Sequence, residues 1–292
     1  MIDLFLKYLQ YEKNYSSHTV LSYKTDLEEF EAFVSEQNGS FNPPEIEDKN
    51  IREWIVSLMD TGIVPRSVNR KISALRSFYR FLLQRGLVAT NPAKAIKALK
   101  TEKNLPLFFK ESELDRVLDD AEIDENDFEA CRNRLIIDMF YETGIRLSEL
   151  VNLKDSDVDL SANTLKVLGK RNKERIVPFG NTLRTNIIMY RKLRNEIPNR
   201  DYTLYIKKNG EKMYPRLVYQ IVHDAMTAQS SLSKRSPHVL RHTFATSVLN
   251  AGAELNAVKE ILGHASLAAT QVYTHTTFEQ LRNIYKKAHP RE

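Results

Sequence analysis

Hydrophobic residues in this chain repeat with helical spacing almost throughout, and the pattern changes to strict alternation in only one region. In the first third, helices are predicted over Thr19 to Val34 and over residues 48–61. The alternating region covers Thr164 to Leu168 and Arg175 to Phe179, which flank a polar turn and predict a β-hairpin. Such a chain must fold mainly from packed helices with a small β element, and Tyr202 to Ile206 is a candidate for a further strand.

The second two-thirds of the chain is also predicted to be mainly helical. Gly144 stands where a left-handed residue often ends a helix, directly after a periodic run from Asp127 to Thr143. The other helices are expected over Glu111 to Ala121, Leu147 to Asn152, and residues 182–196, 215–229, 237–251, 254–262 and 277–287.

A stretch without periodicity separates two predicted domains. Residues 100–108 follow Asn91-Pro92 and contain Pro106, which is typical of a linker. We therefore expect an N-terminal helical domain over residues 1–100, a linker over 101–108 and a second domain over 109–292. The length of 292 residues agrees with two domains of ordinary size.

The segment from residue 61 to residue 100 contains nine basic residues and no acidic one. On a helix, apolar residues from Val68 to Leu82 fall on one face, and the basic residues Arg66, Arg70, Arg76 and Arg80 fall roughly opposite. Surface helices usually mix charges, so this cationic face is typical of a surface that binds a polyanion such as DNA. The alternative is a solvated face that happens to be basic, and the modest net charge of +5 does not decide between them.

Composition and the termini indicate the compartment. The single cysteine, Cys131, excludes an internal disulfide. The N-terminus does not have the charged, apolar and small-residue regions of a signal peptide, and no apolar run is long enough to span a bilayer. We expect a soluble cytoplasmic protein with no membrane partner.

Six residues of the second two-thirds combine the groups that phosphodiester transfer requires. They are Arg146 in TGIRLSEL, Lys170 in LGKRNKERIVP, His238 and Arg241 in HVLRHTFAT, His264 in ILGHAS and Tyr273 in VYTH. Arginines stabilise the extra charge of the transition state, a tyrosine can be the nucleophile, and a lysine can protonate the leaving oxygen. Histidines can accept the tyrosine proton or hydrogen-bond a phosphate oxygen.

These motifs resemble those of the tyrosine recombinase, or phage-integrase-like, family over nearly the whole chain, and most closely its Xer-type members. The resemblance implies an N-terminal SAM-like core-binding domain and a C-terminal catalytic domain that clamp double-stranded DNA. It also implies that Tyr273 attacks the scissile phosphate and leaves a 3′-phosphotyrosyl bond and a free 5′-hydroxyl, with no ATP, metal or other cofactor. The other five residues would be catalytic, and Glu149, one helical turn from Arg146, is a candidate to orient it.

One position departs from the family pattern. Arg171 stands where the family often has glycine after the lysine, and it adds positive charge to the hairpin turn. Arg171 and Lys173 are therefore expected to contact DNA, together with Arg66, Arg70, Arg76 and Arg80. Lys170 matches the first lysine of the family motif and is favoured over Lys173 as the catalytic lysine.

The sequence alone also permits two other classes of protein. One is a metal-dependent transposase or nuclease, and the other is a DNA-binding protein without catalysis. Acids for the former are the pairs Asp119/Asp120 and Asp155/Asp157.

A metal site is nevertheless not predicted. His238 and His242 have zinc-ligand spacing, but the metalloprotease motif needs glutamate where Val239 stands.

The cellular role has two interpretations with the same chemistry, chromosome dimer resolution by an Xer-type enzyme and integration of a mobile element. The chain starts directly with the core-binding helices, without an additional arm-binding domain, and this favours the Xer-type role. We expect assembly on DNA as a homotetramer or as a heterotetramer with a second recombinase. The predicted C-terminal helix, with Phe278, Leu281 and Ile284 on one stripe, is expected to pack into a neighbouring subunit.

Overall fold

The chain forms two compact units, Met1–Asn104 and Leu105–Glu292. The computed structural model describes residues 1–101, 107–119, 124–169, 173–198, 200–227, 232 and 234–263. The predicted class, mainly helical with a small sheet, is confirmed. Within the described ranges, no helix is both long and apolar enough to cross a membrane.

The N-terminal unit is a small helical bundle around an aromatic core. Its helices are α1 (Ile2–Lys7, continued by a π-helical segment Tyr8–Glu12), α2 (Ser17–Asn38), α3 (Asp48–Asp60) and α4 (Pro65–Gln84). The apolar stripe of α4 faces this core, as its spacing predicts, and Phe5, Phe30, Trp54 and Phe78 are buried there. The rings of Phe5 and Phe78 lie 5.5 Å apart and meet edge to face.

One arginine of the cationic face of α4, Arg70, has an acidic partner from another helix, although the 61–100 segment itself contains no acidic residue. Asp26 of α2 is fully buried and forms ion pairs with Arg70 and, at 3.1 Å, with Lys71. Lys71 is itself buried and also pairs with Glu29. A buried charge must be paired, and these acids come from another helix that lies more than forty residues away in the sequence.

The C-terminal unit is built around a central buried helix. Its helices are α5 (Glu111–Asp119), α6 (Phe128–Thr143), α7 (Leu147–Asn152), α8 (Asn181–Asn195), α9 (Pro215–Thr227), α10 (Pro237–Asn250) and α11 (Leu255–Leu262). The central helix is α6, which packs against both α8 and α10 and buries Leu135, Phe140 and Tyr141. The Asp127 carboxylate caps the start of α6 by accepting from the Glu129 backbone N–H at 2.8 Å.

A three-stranded antiparallel sheet lies beside these helices. The strands are β1 (Val158–Asp159), β2 (Thr164–Leu168) and β3 (Glu174–Pro178), in the order β1-β2-β3. In the predicted hairpin of β2 and β3, Leu168 is paired with Glu174 at the turn end.

Tyr202 to Ile206 does not form a strand, and that expectation is wrong. Only isolated bridges occur there, between Lys154 and Thr203 and between Ile206 and Lys212. Buried loop residues have the same apolar character as a short strand, and Leu204 and Tyr205 are fully buried.

Gly144 is required both by its backbone and by its surroundings. It ends α6 at φ +58°, and a Cβ there would lie 2.4 Å from a Phe244 ring carbon and 3.0 Å from Leu262. We predict that Gly144→Ala lowers the free energy of unfolding by about 2–4 kcal/mol, from backbone strain plus overpacking. Chemical denaturation of the full chain measures this.

Gly252→Ala is the matched control for that substitution. Gly252 also has a positive φ, +91°, but no atom of the described residues lies within 4 Å of the added Cβ. The free energy of unfolding of Gly252→Ala should therefore fall only by the cost of backbone strain, about 1–2 kcal/mol. Equal losses for the two variants would contradict the packing argument.

Candidate active site

Arg146 is placed by the end of one helix and the start of the next. After Gly144 ends α6, the chain turns and Arg146 becomes the N-cap of α7. Its backbone N–H donates to Glu149 Oε2 at 2.7 Å, and its Nη1 donates to Glu149 Oε1 at 2.8 Å. Its Nη2 donates to the Gly263 carbonyl at 2.9 Å. The proposed orienting contact of Glu149 is therefore present, and about a fifth of the Arg146 side chain stays exposed.

His238 and Arg241 are carried by the first turns of α10. This helix starts with Pro237 at its first position, where a missing N–H has no cost. Arg241, one turn later, is buried and donates to the carbonyls of Gly144 and, at 2.5 Å, Leu262. His238 is exposed, so the two side chains lie on one side of the helix with different access to solvent.

Three arginines converge on the carboxyl end of α11. Its carbonyls at Ile261, Leu262 and Gly263 accept from Arg175 Nε at 2.7 Å, from Arg241 Nη2 at 2.5 Å and from Arg146 Nη2 at 2.9 Å, respectively. The last carbonyls of a helix have no partner within it and form the negative end of its dipole. The helix end therefore fixes both candidate catalytic arginines, Arg146 and Arg241. The last of its three carbonyls belongs to Gly263, which directly precedes His264 in the sequence.

The local charges shift two pKa values strongly. Burial alone would raise the pKa of Glu149, but the hydrogen bonds and charges of Arg175 and Arg146 outweigh it and lower the pKa to about 2. Burial, followed by the charge of Arg146, lowers the pKa of Arg241 to about 10. At neutral pH, Glu149 is therefore an anion among three cationic guanidinium groups.

His238 is suited to accept a proton. Partial enclosure lowers its pKa from the ordinary value, and His242, Arg241 and the other nearby cations lower it further. Its ring is also stacked on that of His242 at 5.9 Å between centroids. The imidazole is therefore neutral at neutral pH, with a lone pair available for a proton or a hydrogen bond.

The remaining candidate residues are only partly covered. Lys170, Arg171, His264 and Tyr273 lie outside the described residues. Lys173 is exposed, and its carbonyl accepts from the Gly169 N–H at 2.8 Å, next to the turn end of the hairpin. Of the six candidate catalytic residues, the structure brings Arg146, His238 and Arg241 into one electrostatic environment.

Arg175 is a site residue that the sequence interpretation missed. It occupies an inward position of β3, in phase with the buried Val177, and only 5% of it is exposed. The sequence did indicate this residue, because it places a charged side chain at a strand position that alternation assigns to the buried side. A charged residue at such a position needs a buried partner.

The acids considered for a metal-dependent enzyme have structural partners where they are described. Asp155 accepts from Arg191 Nε at 2.9 Å, and Asp157 accepts from the Lys154 backbone N–H at 2.9 Å. The Asp119 side chain and Asp120 lie outside the described residues. In the part of the chain that the structure covers, histidine, cysteine and acidic side chains form no cluster of three that would hold a metal.

Two family profiles match the chain in the order of its two units. The profile described as Phage integrase, N-terminal SAM-like domain matches residues 2–86, and that of the Phage integrase family matches residues 108–280. The chain belongs to the phage integrase family. The second matched region, residues 108–280, contains all six candidate catalytic residues.

Relatives match nearly the full length of the chain. Tyrosine recombinase XerC of Staphylococcus carnosus is 40% identical over 99% of this chain and 97% of its own length. Tyrosine recombinase XerC of Chlorobaculum tepidum is 36% identical over 98% of this chain and 93% of its own length. These relatives confirm the prediction of a site-specific tyrosine recombinase of the Xer type.

Solved structures have the same fold. The post-cleavage complex of the XerH site-specific recombinase with a palindromic difH substrate has a TM-score of 0.71 at 22% identity, over 97% of this chain and 83% of that one. A lambda integrase dimer bound to a COC′ core site has a TM-score of 0.68 at 20% identity, over 96% and 93%. At these identities the likeness establishes the fold alone.

The depressed pKa of Glu149 predicts a specific pH dependence of stability. A carboxyl whose folded pKa is about 2 stabilises the protein fully above its unfolded pKa near 4.5, and that stability is lost as the pH falls toward 2. The gap in unfolding free energy between wild type and Glu149→Gln should therefore narrow by roughly 1–1.5 kcal/mol between pH 6 and pH 3.5. Urea denaturation at several pH values measures the gap, and a gap that stays constant would contradict the assignment.

Proposed function

We propose that this recombinase cuts and rejoins DNA with Tyr273 as its nucleophile. The other members of the catalytic set are Arg146, Lys170, His238, Arg241 and His264. The observation that carries the proposal is the convergence of Arg146 and Arg241 on consecutive carbonyls at the end of α11. Two buried or half-buried arginines side by side, beside a neutral histidine, form a site for a phosphate in its transition state.

The two arginines keep donors for the substrate. A guanidinium has five N–H donors, and Arg241 uses two of them on Gly144 and Leu262. Arg146 uses two on Glu149 and Gly263. With respect to the described residues, the remaining donors are available for the non-bridging oxygens, where charge increases in the transition state.

The proposed reaction conserves the number of phosphodiester-type bonds. The Tyr273 oxygen forms a bond to phosphorus while the bond from phosphorus to the 5′-oxygen breaks. Lys170 gives a proton to the leaving 5′-oxygen, and a histidine, His238 or His264, takes the tyrosine proton. A 5′-hydroxyl of the partner duplex then attacks the phosphotyrosyl bond, and the proton transfers run in reverse.

DNA contacts by the N-terminal unit are proposed for the exposed part of α4. Arg76 donates to the backbone carbonyls of Ala93 and Ile96, which commits its guanidinium within the unit. Arg70 is committed in part to Asp26, with 45% of its side chain still exposed. Arg66 and Arg80 are exposed and lie about 40° apart around the helix. These two are the strongest candidates for phosphate contacts from this unit.

The wider organisation is also part of the proposal. Residues 1–100 form the core-binding domain, residues 101–108 the linker and residues 109–292 the catalytic domain, which together grip the duplex. Arg171 and Lys173 of the hairpin add contacts near the site. Full-length identity of 36–40% with XerC proteins supports chromosome dimer resolution, in the cytoplasm, over integration of a mobile element.

Assembly on DNA is proposed as a tetramer. The lambda integrase structure is a dimer on its core site, which supports a multimeric complex for this fold. A homotetramer and a heterotetramer with a second recombinase both fit the chain. The segment around residues 277–287, outside the described residues, would join each subunit to its neighbour.

Trapping of the covalent intermediate tests the nucleophile. The substrate is a duplex that carries a binding site selected from a random-sequence library and a nick close to the cleavage position. After cleavage, the short fragment with the free 5′-hydroxyl diffuses away, so the covalent adduct accumulates. We predict an adduct on Tyr273, identified by mass spectrometry, and loss of at least about 1000-fold of the cleavage rate in Tyr273→Phe. The reaction should be unchanged by EDTA.

Tyr202→Phe is the matched control for this experiment. Tyr202 is the most exposed large hydrophobic residue described, at 88%, and it belongs to the same unit. This variant should cleave at the wild-type rate. An adduct on any other residue, or cleavage that needs a divalent metal, would refute the proposed mechanism.

Salt dependence of binding tests the contacts from α4. Each phosphate contact contributes about 0.9 to the slope of log affinity against log salt concentration. Arg66→Ala and Arg80→Ala should each reduce that slope by about 1 and weaken binding to all sequences alike. Lys49→Ala is the control, because this exposed lysine pairs with Glu47 at 3.0 Å on α3. Unchanged slopes in both arginine variants would place the DNA on another face.

A further inference from the structure

Arg175 has the environment of a structural tie. Its side chain is 5% exposed, and its two terminal nitrogens donate to the two carboxylate oxygens of Glu149 at 2.8 Å each. Its Nε donates to the Ile261 carbonyl at 2.7 Å. Three of its five N–H donors, one on each nitrogen, already have acceptors within the unit, which gives Arg175 the contacts of a structural residue.

Glu149 transmits the position of Arg175 to Arg146. The same two carboxylate oxygens that bind Arg175 also accept from the Nη1 and the backbone N–H of Arg146. The carboxylate is 3% exposed, so it has little freedom to move independently of its partners. A bidentate contact fixes the plane of both groups, and this fixes the direction from which Glu149 holds Arg146.

Two glycines lie close to the Arg175 side chain. A Cβ at Gly263 would lie 3.2–3.3 Å from the Arg175 guanidinium and Cδ, and one at Gly169 would lie 3.5 Å from its Nη1. Gly263 directly precedes His264 in the sequence, and Gly169 directly precedes Lys170. The Arg175 side chain therefore lies beside the backbone that leads into both residues.

We infer that Arg175 is a positioning residue for strand cleavage, which ties the β2–β3 hairpin to Glu149 and to the carboxyl end of α11. It holds three parts of the site in register: the arginine at the start of α7, the segment that leads to Lys170, and the segment that leads to His264. The inference rests on the proposed catalytic set, and it assigns to Arg175 no contact with DNA.

Removal of this tie should affect chemistry more than binding. Arg175→Met keeps much of the side-chain volume but removes the charge and every donor. A misplacement of about 1 Å in a catalytic group costs on the order of 100-fold in rate, and we predict a loss of that size in single-turnover cleavage of the nicked duplex. DNA affinity, measured separately by fluorescence anisotropy, should stay within about threefold of wild type.

The pH profile separates positioning from general stability. Without Arg175, the described groups that oppose the burial of Glu149 are Arg146, which donates to it, and Arg241, through its charge, so the pKa of the Glu149 carboxyl rises. Protonated Glu149 cannot hold Arg146 as before. As the pH is lowered, the cleavage rate of Arg175→Met should therefore begin to decrease at a pH about one unit or more above the pH at which the wild-type rate decreases. Arg175→Lys, which keeps the charge without the bidentate geometry, should recover part of the rate and of the profile.

Arg194→Met is the matched structural control. Arg194 is a buried arginine of the same unit, 3% exposed, that donates to the carbonyls of Asp201 and Thr203. Its loss should lower the melting temperature to a similar degree and leave the cleavage rate and pH profile unchanged. If Arg175→Met does not fold, Arg175→Lys is compared with Arg194→Lys in the same assays.

The outcomes distinguish this inference from the proposed function. If wild type forms no adduct on Tyr273, the catalytic set itself is wrong. If wild type forms the adduct but Arg175 variants lose no more rate than Arg194 variants, or keep the wild-type pH profile, the role of Arg175 is overturned. A selective loss of cleavage with a shifted profile supports it.

Discussion

The carboxyl end of α11 is the constraint on which the described part of the active site depends. Three consecutive carbonyls there lack helical partners and accept from Arg175, Arg241 and Arg146. Buried guanidinium groups need acceptors as much as the carbonyls need donors, so each satisfies the other. The result is a dense group of positive charge, held in place before any phosphate arrives.

A preorganised site of this kind reduces the reorganisation that the reaction requires. Arg241 is buried, its pKa is lowered to about 10, and it still carries its charge at neutral pH. Glu149 offsets the repulsion between the arginines, and its own pKa near 2 keeps it ionised across the range in which the protein functions. Donors that are already fixed and partly desolvated stabilise developing charge better than flexible, hydrated ones.

Much of the fold could be predicted because helical periodicity is a local signal. The stripe from Val68 to Leu82, the end of α6 at Gly144 and the β2–β3 hairpin all agree with the structure. Contacts between distant segments were not predictable in this way. Asp26 is more than forty residues from the lysine and arginine that it binds, and buried loop residues near Tyr205 had the appearance of a strand.

In the candidate site too, local motifs could be predicted from the sequence, and contacts between distant segments could not. Motif spacing pointed to Arg146, His238 and Arg241, and the structure places them in one environment. Backbone carbonyls carry no sequence signature, so their pairing with these arginines was not visible beforehand. Arg175 did have a signal, an inward position on an alternating strand, but its partner Glu149 lies on another element.

A double-mutant cycle between Glu149 and Arg175 tests most directly whether these groups act as one unit. Single-turnover cleavage is measured for wild type, Glu149→Gln, Arg175→Met and the double variant. If the two residues act only by holding Arg146 together, the double variant should be about as slow as the slower single variant. Losses that multiply, so that the double variant is slower by the product of the two factors, would show independent roles and contradict the account.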